Sequence, residues 1–401
     1  MRPFASRRVL LGVTGGIASY KAGWLARLLA QAGAEVDVVL TTGAQEFVRP
    51  LTFEGLTGRE VYTDLFAPGH ALDHIRLARE ARAIVVAPAT ADFMARAAAG
   101  QAGDLLSAIL LATEAPVLLV PAMNDRMWAH PQTQRNVAHL RDIGYGVLEP
   151  ELGMLAAGEG SGPGRLPEPE TILAHVGRLL EEHGALAGKR ILVTAGPTRE
   201  AVDPVRFLSN RSTGKMGAAI AAAAWRRGGD VTLVAGPLEI VSPVGVRHVA
   251  VETTEEMRDA VVRALADTDV LVMAAAPADF RVDDPAGRKI KRDHGARSIE
   301  LAPTPDILRE SRGERKTGAV IVGFALETGN ALDASREKLA RKDLDLLVVN
   351  DALEPGAGFA VDTNRVSLLA RDGSVEELPL LSKHEVADRL LDRVEDLLGG
   401  R

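Results

Sequence analysis

Nine short apolar runs separated by helix-length stretches dictate the architecture of this chain. RVLLGVT, AEVDVVLT, AIVVAPA and PVLLVPA stand in the first half, and RILVTAG, DVTLVAG, DVLVMAAA, AVIVGFA and LDLLVVND in the second. A strand with one wet face alternates polar and apolar residues. These runs barely alternate, which suits parallel strands covered on both sides by helices. Between them, SYKAGWLARLLAQAG, PQTQRNVAHLRDIG and TEEMRDAVVRAL place apolar residues at helical spacing. The expectation is α/β with two doubly wound, mostly parallel (Rossmann-like) sheets, because 401 residues exceed one domain of about 150.

The stretch 153–169 holds five glycines and three prolines, too many for a packed element, and reads as a mobile flap within 150–169. PETILAHVGRLLEEHG then closes the first unit, and HGALAGK links it to a new strand at Ile191. The break is placed at 187, giving domains 1–187 and 188–401. Both open alike, with VTGGIASYK at 13–21 and VTAGPTRE at 193–200, each a strand ending in a glycine turn expected to feed a helix. Such a helix start offers free N–H groups to a phosphate beyond the carboxyl ends of the strands. The first turn has glycines at 12, 15 and 16 rather than G-x-G-x-x-G, and Gly214-Lys215 is followed by Met216, so neither a dinucleotide fingerprint nor a P-loop is present. Taken alone, the Gly15-Gly16 turn is equally compatible with tight packing and no ligand.

The formal charge of −7 provides no basic footprint for nucleic acid. No apolar run approaches the ~18 residues that span a bilayer, and the start of the chain lacks a leader-like apolar region, so a cytoplasmic protein is expected. Cysteine is absent, which removes disulfides and thiol chemistry by the chain itself.

Three segments, LDHIRLARE (72–80), APATADFMARAAAGQAGDLL (87–106) and PAMNDRMW (121–128), resemble the flavin-dependent cysteine decarboxylase family, specifically its 4'-phosphopantothenoylcysteine decarboxylases. The resemblance implies a flavodoxin-like flavoprotein fold. It also implies FMN held by Gly15, Gly16, Ile17, Ala18, Pro88, Thr90 and Asp92, His74 as catalytic base, and substrate binding by Met123 and Asn124. The chemistry is coherent: the carbanion left by decarboxylation of a cysteine amide has no electron sink until the thiol is oxidised to a thioaldehyde. FMN accepts the hydride, and imidazole, titrating near ~6.5, is suited to take a proton at neutral pH. By themselves, His74 reads as a first-turn residue after Asp73 as N-cap, and Asn124 as an N-cap. The family typically carries a flap cysteine that protonates the enethiolate. Here LAAGEGSGPGRL keeps the Gly162-Pro163-Gly164-Arg165 frame but has Ala157 or Gly158 at the thiol position. Neither donates a proton, so Glu159 or a water must serve, or turnover is impaired.

VTAGPTREAVDPVRFLSNRSTGKMGAAIA (193–221) resembles the phosphopantothenate-cysteine ligase half of the bifunctional coenzyme A biosynthesis family. MAAAPADFR, KIKR, PTPDIL, VGFALET and REKLARKDLDLLVVND follow in the family's order. Ligation of a carboxylate requires an acyl-nucleotide anhydride and concentrated positive charge around a triphosphate. Of nine lysines, five (289, 291, 316, 338 and 342) fall between 289 and 342, which favours an anion site. By resemblance, Lys289 assists acyl-cytidylate formation and Asn210 holds its carbonyl for attack by the cysteine amine. Asp279, Phe324 and the turn Pro305-Asp306-Ile307-Leu308 contact CTP, while Lys338 and Lys342, i,i+4 on one helix face, hold its phosphates with Mg²⁺ as counterion. Read singly, KIKR is an exposed loop, Ser212 or Thr213 an N-cap and Phe324 core.

The expected activity is CTP-dependent joining of 4'-phosphopantothenate to L-cysteine followed by FMN-dependent decarboxylation, in a homo-oligomer acting on small molecules. The rivals are a ligase with an impaired flavin domain, a non-enzymatic FMN-binding regulatory protein, and an NAD oxidoreductase, the last disfavoured by the missing fingerprint.

Overall fold

A computed structural model describes residues 3–155, 157–291, 298–327, 332–351, 358 and 361–400. Arg292 of KIKR and Thr328 of VGFALET lie outside the described residues. The chain divides into two compact units, Met1–Glu181 and Glu182–Arg401. The first is built on six parallel strands: β1 Arg8–Val13, β2 Glu35–Leu40, β3 Val61–Tyr62, β4 Ala83–Ala89, β5 Val117–Pro121 and β6 Gly146–Val147, in the order β3-β2-β1-β4-β5-β6. Val9, Leu11 and Val13 pack on one face with Leu25 and Leu29 of the helix Ser19–Gln31 and with Ile172 and Val176 of Pro169–Glu181. Leu10 turns to the other face, against Leu106 and Ile109 of Leu105–Ala112. Two dry faces explain why the runs lack polar alternation.

The Gly/Pro-rich stretch, expected to hold no packed element, contains two paired strands. Glu151–Met154 (β7) and Ser161–Arg165 (β8) form an antiparallel hairpin. Its glycines are steric necessities: a Cβ on Gly164 would stand 2.1 Å from the Met123 carbonyl oxygen, and one on Gly162 2.9 Å from Asp125 Cβ.

In the second unit, β9 Arg190–Ala195 leads to a small hairpin, β10 Arg199–Ala201 and β11 Phe207–Ser209, and only then to the helix Lys215–Arg226. The two units therefore do not open alike: the second turn feeds a hairpin before its helix. The strands β12 Asp230–Ala235, β13 Arg247–Ala250 and β14 Val270–Met273 follow, then a second hairpin, β15 Phe280–Val282 with β16 Leu301–Pro303. After β17 Val320–Glu327, β18 Leu346–Asp351, β19 Thr363–Asn364, β20 Val366–Ala370, β21 Val375–Glu377 and β22 Leu381–Ser382, the helix Lys383–Gly399 ends the unit. The main sheet runs β13-β12-β9-β14-β17-β18-β20-β21, parallel up to β18 and antiparallel beyond it. The order of strand addition reverses between β9 and β14, which run parallel, and this is the switch point beyond which ligands bind in such sheets.

Candidate functional site

The first cavity, about 440 Å³, opens beyond the carboxyl ends of β1, β4 and β5. It is lined by Gly15, Gly16, Ile17, Ala18, Pro88, Thr90, Met123 and Asn124, together with Tyr20, Lys21, Met127, Leu155, Glu159 and Arg165. Thr14 knits its floor: the hydroxyl donates to the Pro88 carbonyl at 2.8 Å and accepts from Thr90 N–H at 3.0 Å. Gly15 passes so close to the loop after β2 that a Cβ would lie 2.6 Å from the Gly43 carbonyl carbon. Thr90 caps the helix Ala91–Ala98 by accepting from Phe93 N–H, and Asn124 caps Asp125–Ala129 by accepting from Arg126 N–H at 2.9 Å. The β8 strand is tied on by Met123 N–H donating to the Gly164 carbonyl at 3.0 Å. Lys21 adds a cation at the rim, 3.2 Å from Glu168.

Two expected residues lie elsewhere. Asp92 is an exposed carboxylate paired to Arg96 at 3.1 Å, one turn along the helix. His74 sits in the first turn of Asp73–Glu80, does not line the cavity of its own chain, and its Nδ1 is buried with no partner among the described residues. Asp73 is not the N-cap; that position is Leu72, and the Asp73 carboxylate binds His70 Nδ1 at 2.7 Å and Arg76. Burial pulls Asp73 upward, but the hydrogen bonds from His70 and Arg76 outweigh it and hold the carboxyl below its ordinary range.

The second cavity, about 360 Å³, lies beside the start of the helix Lys215–Arg226. Asn210, Asp279, Phe324 and Lys338 meet there, with the segment 212–217, Ala274, Ala275 and Ala276, and with Asn350, Asn364 and Lys383. Asn210 Nδ2 donates to the Ala276 carbonyl at 3.1 Å and the Pro277 carbonyl at 2.8 Å, so both amide hydrogens are used and Oδ1 remains as an acceptor. A buried network fixes that turn. Ala278 N–H donates to Thr198 Oγ1 at 2.9 Å, Thr198 shares a hydrogen bond with Thr254 Oγ1, and Thr254 donates twice to Glu200 at 2.8 Å. The N-cap of Lys215–Arg226 is Gly214 in the left-handed region, not Ser212 or Thr213, and no side chain caps this end.

The lysines are distributed otherwise than their spacing suggested. Lys316 pairs with Asp269 at 2.5 Å, and Lys342, just past the helix Leu332–Arg341, pairs with Asp306 at 3.1 Å. Of the two expected phosphate lysines, Lys338 lines this cavity and Lys342 is not among its lining residues. Asp306 caps Ile307–Glu310, Ile307 and Leu308 are buried core, and Pro305 with Asp306 lines a separate groove. Lys289 is exposed on the segment beside a third cavity, which Ile290 and Lys291 line. Sequence reasoning did not single out Lys215 or Lys383 as cavity residues. Among the described residues no cluster of three or more His, Asp or Glu has metal-binding geometry, and no helix is long and apolar enough to cross a membrane.

Residues 2–181 match the family described as Flavoprotein, and residues 186–398 the family described as DNA/pantothenate metabolism flavoprotein C-terminal domain. The Coenzyme A biosynthesis bifunctional protein CoaBC of Mycobacterium tuberculosis (strain ATCC 25618 / H37Rv) is 48% identical over 409 residues, covering 98% of this chain and 97% of its own. Its counterpart in Bacillus subtilis (strain 168) is 45% identical over 401 residues, with 98% and 97% covered. The crystal structure of the C-terminal domain of a CoaBC protein is 41% identical, covers 54% of this chain and 100% of that one, and superposes with a TM-score of 0.47. This chain therefore belongs to the family of bifunctional coenzyme A biosynthesis enzymes, a flavoprotein decarboxylase domain followed by a ligase domain.

Proposed function

We propose that the second domain joins 4'-phosphopantothenate to L-cysteine with CTP, releasing CMP and pyrophosphate, and that the first decarboxylates the product to 4'-phosphopantetheine with FMN. The carrying observation is that family membership spans both units and that each has its own cavity near the carboxyl ends of its parallel strands. CTP arrives with Mg²⁺, held mainly by the phosphates. The expected setting is the cytoplasm.

The first cavity suits a phosphorylated flavin. Gly15 and Gly16 keep side chains out of the turn, no side chain caps the helix Ser19–Gln31, and Ile17, Met123, Met127 and Leu155 provide an apolar wall for a planar ring. When bound, FMN supplies the two-electron acceptor that lets the cysteine carboxylate leave as CO₂. Asn124 and Met123 orient the substrate beneath the β7-β8 hairpin, and Thr90 helps hold the flavin. Glu159, in the cavity wall beside Ala157 and Gly158, is the carboxyl available to return the proton that a flap thiol delivers elsewhere in the family. His74 takes the proton at the start of the reaction. Because it lies outside the cavity of its own chain, it does so in the homo-oligomer, at the cavity of a neighbouring copy.

In the second domain, Lys289 assists attack of the phosphopantothenate carboxylate on the α-phosphate. Asn210, with its amide hydrogens engaged, uses Oδ1 to accept from the incoming amine of cysteine. An aspartate there sets carboxylate oxygens against two backbone carbonyls, which misplaces the group.

The test is a set of three variants assayed for both half-reactions. Lys289→Gln should abolish pyrophosphate release, Asn210→Asp should release pyrophosphate but accumulate the acyl-cytidylate, and Glu159→Gln should slow CO₂ release while leaving ligation intact. Unchanged ligation in the first two removes the ligase assignment, and unchanged CO₂ release in the third removes Glu159.

A further inference from the structure

A single peptide unit separates Asn210 from a buried hydroxyl. The Pro277 carbonyl that accepts from Asn210 Nδ2 at 2.8 Å and the Ala278 N–H that donates to Thr198 Oγ1 at 2.9 Å belong to the same trans peptide. Planarity fixes these two groups on opposite sides of the bond, so the hold of Thr198 on the N–H aims the carbonyl at the asparagine amide. Thr198 also holds Asn210 from the chain side, because its own carbonyl accepts from Ser209 Oγ at 2.7 Å. The Thr198 side chain is wholly buried and is not among the residues lining the cavity.

A carboxylate at the far end decides the direction of each hydrogen bond. Glu200, buried at the start of the helix Thr254–Leu265, accepts from Thr254 N–H and from Thr254 Oγ1, both at 2.8 Å. An ionised carboxylate only accepts, so the one Thr254 hydroxyl hydrogen goes to it rather than to the Ala278 carbonyl, 3.4 Å away. Thr254 Oγ1 is left to accept, and the Thr198 hydroxyl, 2.9 Å away, donates to it. With its hydrogen engaged, Thr198 Oγ1 can only accept, as the Ala278 N–H requires. The chain from Glu200 through Thr254, Thr198 and the peptide to Asn210 therefore runs in one sense, and such bonds polarise one another. With the Ala276 carbonyl at 3.1 Å, it sets two acceptors against Asn210 Nδ2 and leaves Oδ1 for the substrate. Asp279 is tied separately: Thr304 N–H donates to its carbonyl at 3.0 Å, and the Thr304 hydroxyl donates to the Ala278 carbonyl at 2.6 Å.

We infer that Thr198, backed by Glu200 through Thr254, is a positioning residue for Asn210. It sets which end of the amide meets the incoming amine, and so governs the amide-forming step and not the activation step. This rests on the ligase function proposed above.

The test times the two steps separately by rapid quench of full-length protein. Pyrophosphate release from 4'-phosphopantothenate and CTP with Mg²⁺ is followed without cysteine, and decay of the acyl-cytidylate is followed after cysteine is added. Thr198→Val puts a methyl group against the Ala278 N–H, and a shift of about 1 Å in a positioned group costs on the order of 100-fold. The amide step should slow by about 10- to 100-fold while pyrophosphate release stays within about twofold. Thr198→Ser keeps the hydroxyl and should recover most of the loss. A threonine that only stabilised the fold would slow both steps together, and that result, or an unaltered amide step, overturns the assignment. If Thr198→Val fails to fold, Thr254→Val carries the same comparison, since it removes the acceptor that orients the Thr198 hydroxyl and keeps the backbone bond to Glu200. Wild-type protein that releases no pyrophosphate refutes the ligase reading itself. Active wild type with unshifted variants refutes only the role of Thr198.

Discussion

Substituting Gly164 by alanine tests how the hairpin builds the proposed flavin cavity. The new Cβ would stand 2.1 Å from the Met123 carbonyl oxygen, whereas carbon and oxygen settle no closer than about 3.3 Å. The β8 strand must retreat by about 1 Å, and Leu155 Cδ2, 3.3 Å from the added carbon, blocks an easy slide. That retreat breaks the Met123 N–H to Gly164 carbonyl bond. The lost bond costs about 0.5–1.5 kcal/mol and the overpacking about 1–3 kcal/mol, so the seated hairpin is destabilised by about 1.5–4.5 kcal/mol. Since 1.4 kcal/mol is about tenfold, FMN affinity should fall by at least about tenfold as Met123, Asn124, Leu155 and Arg165 lose their arrangement. Fluorescence quenching of FMN by flavin-stripped protein reads the affinity, and CO₂ release should fall with it while pyrophosphate release stays constant. An affinity within twofold of the wild type would show that the hairpin does not shape the site.

Two further outcomes concern stability. Arg227, 4% exposed, is surrounded by Asp388, Asp392 and Glu395 of the last helix at 3.3, 2.9 and 3.3 Å. Arg227→Met removes the cation that these three carboxylates share, Asp388 keeping Arg226, and should cost about 1.5–3 kcal/mol in urea unfolding of the second unit; a loss below about 1 kcal/mol would mean the cluster is solvated. Burial, aided by Arg178, pushes His175 in the helix Pro169–Glu181 down to about 4 from 6.5. The unfolded chain then binds the proton more readily between those values, so this stability is present above pH 6.5 and lost as pH falls towards 4. His175→Gln should flatten the pH dependence of the first unit's unfolding midpoint in that window, and an unaltered slope would contradict the assignment.

All nine apolar runs are strands, because a segment dry on both faces leaves the same mark wherever it occurs. The hairpin at 151–165 left no such mark. What holds it is the absence of side chains at Gly162 and Gly164 opposite Asp125 and Met123, a relation invisible until β5 and its loop are placed beside it. Gly15, Gly16, Ile17, Ala18, Pro88, Thr90, Met123 and Asn124 line one cavity because the turns after β1, β4 and β5 share one sheet edge. Asp92 points along its own helix to Arg96, a pairing that the motif string does not encode. Lysine density between 289 and 342 does not encode partners: Lys316 and Lys342 pair with Asp269 and Asp306, while Lys338 lines the second cavity. Lys383 looks in sequence like any first-turn residue of an amphipathic helix. The antiparallel pairing of β22 with β19 brings that helix start beside Asn364 at the cavity.

Mass spectrometry of a single incubation of the full-length protein with 4'-phosphopantothenate, L-cysteine, CTP, Mg²⁺ and FMN tests the central claim most directly. The account predicts 4'-phosphopantetheine, CO₂, CMP and pyrophosphate. Accumulation of 4'-phosphopantothenoylcysteine with no decarboxylated product, or no CTP consumption at all, would contradict it.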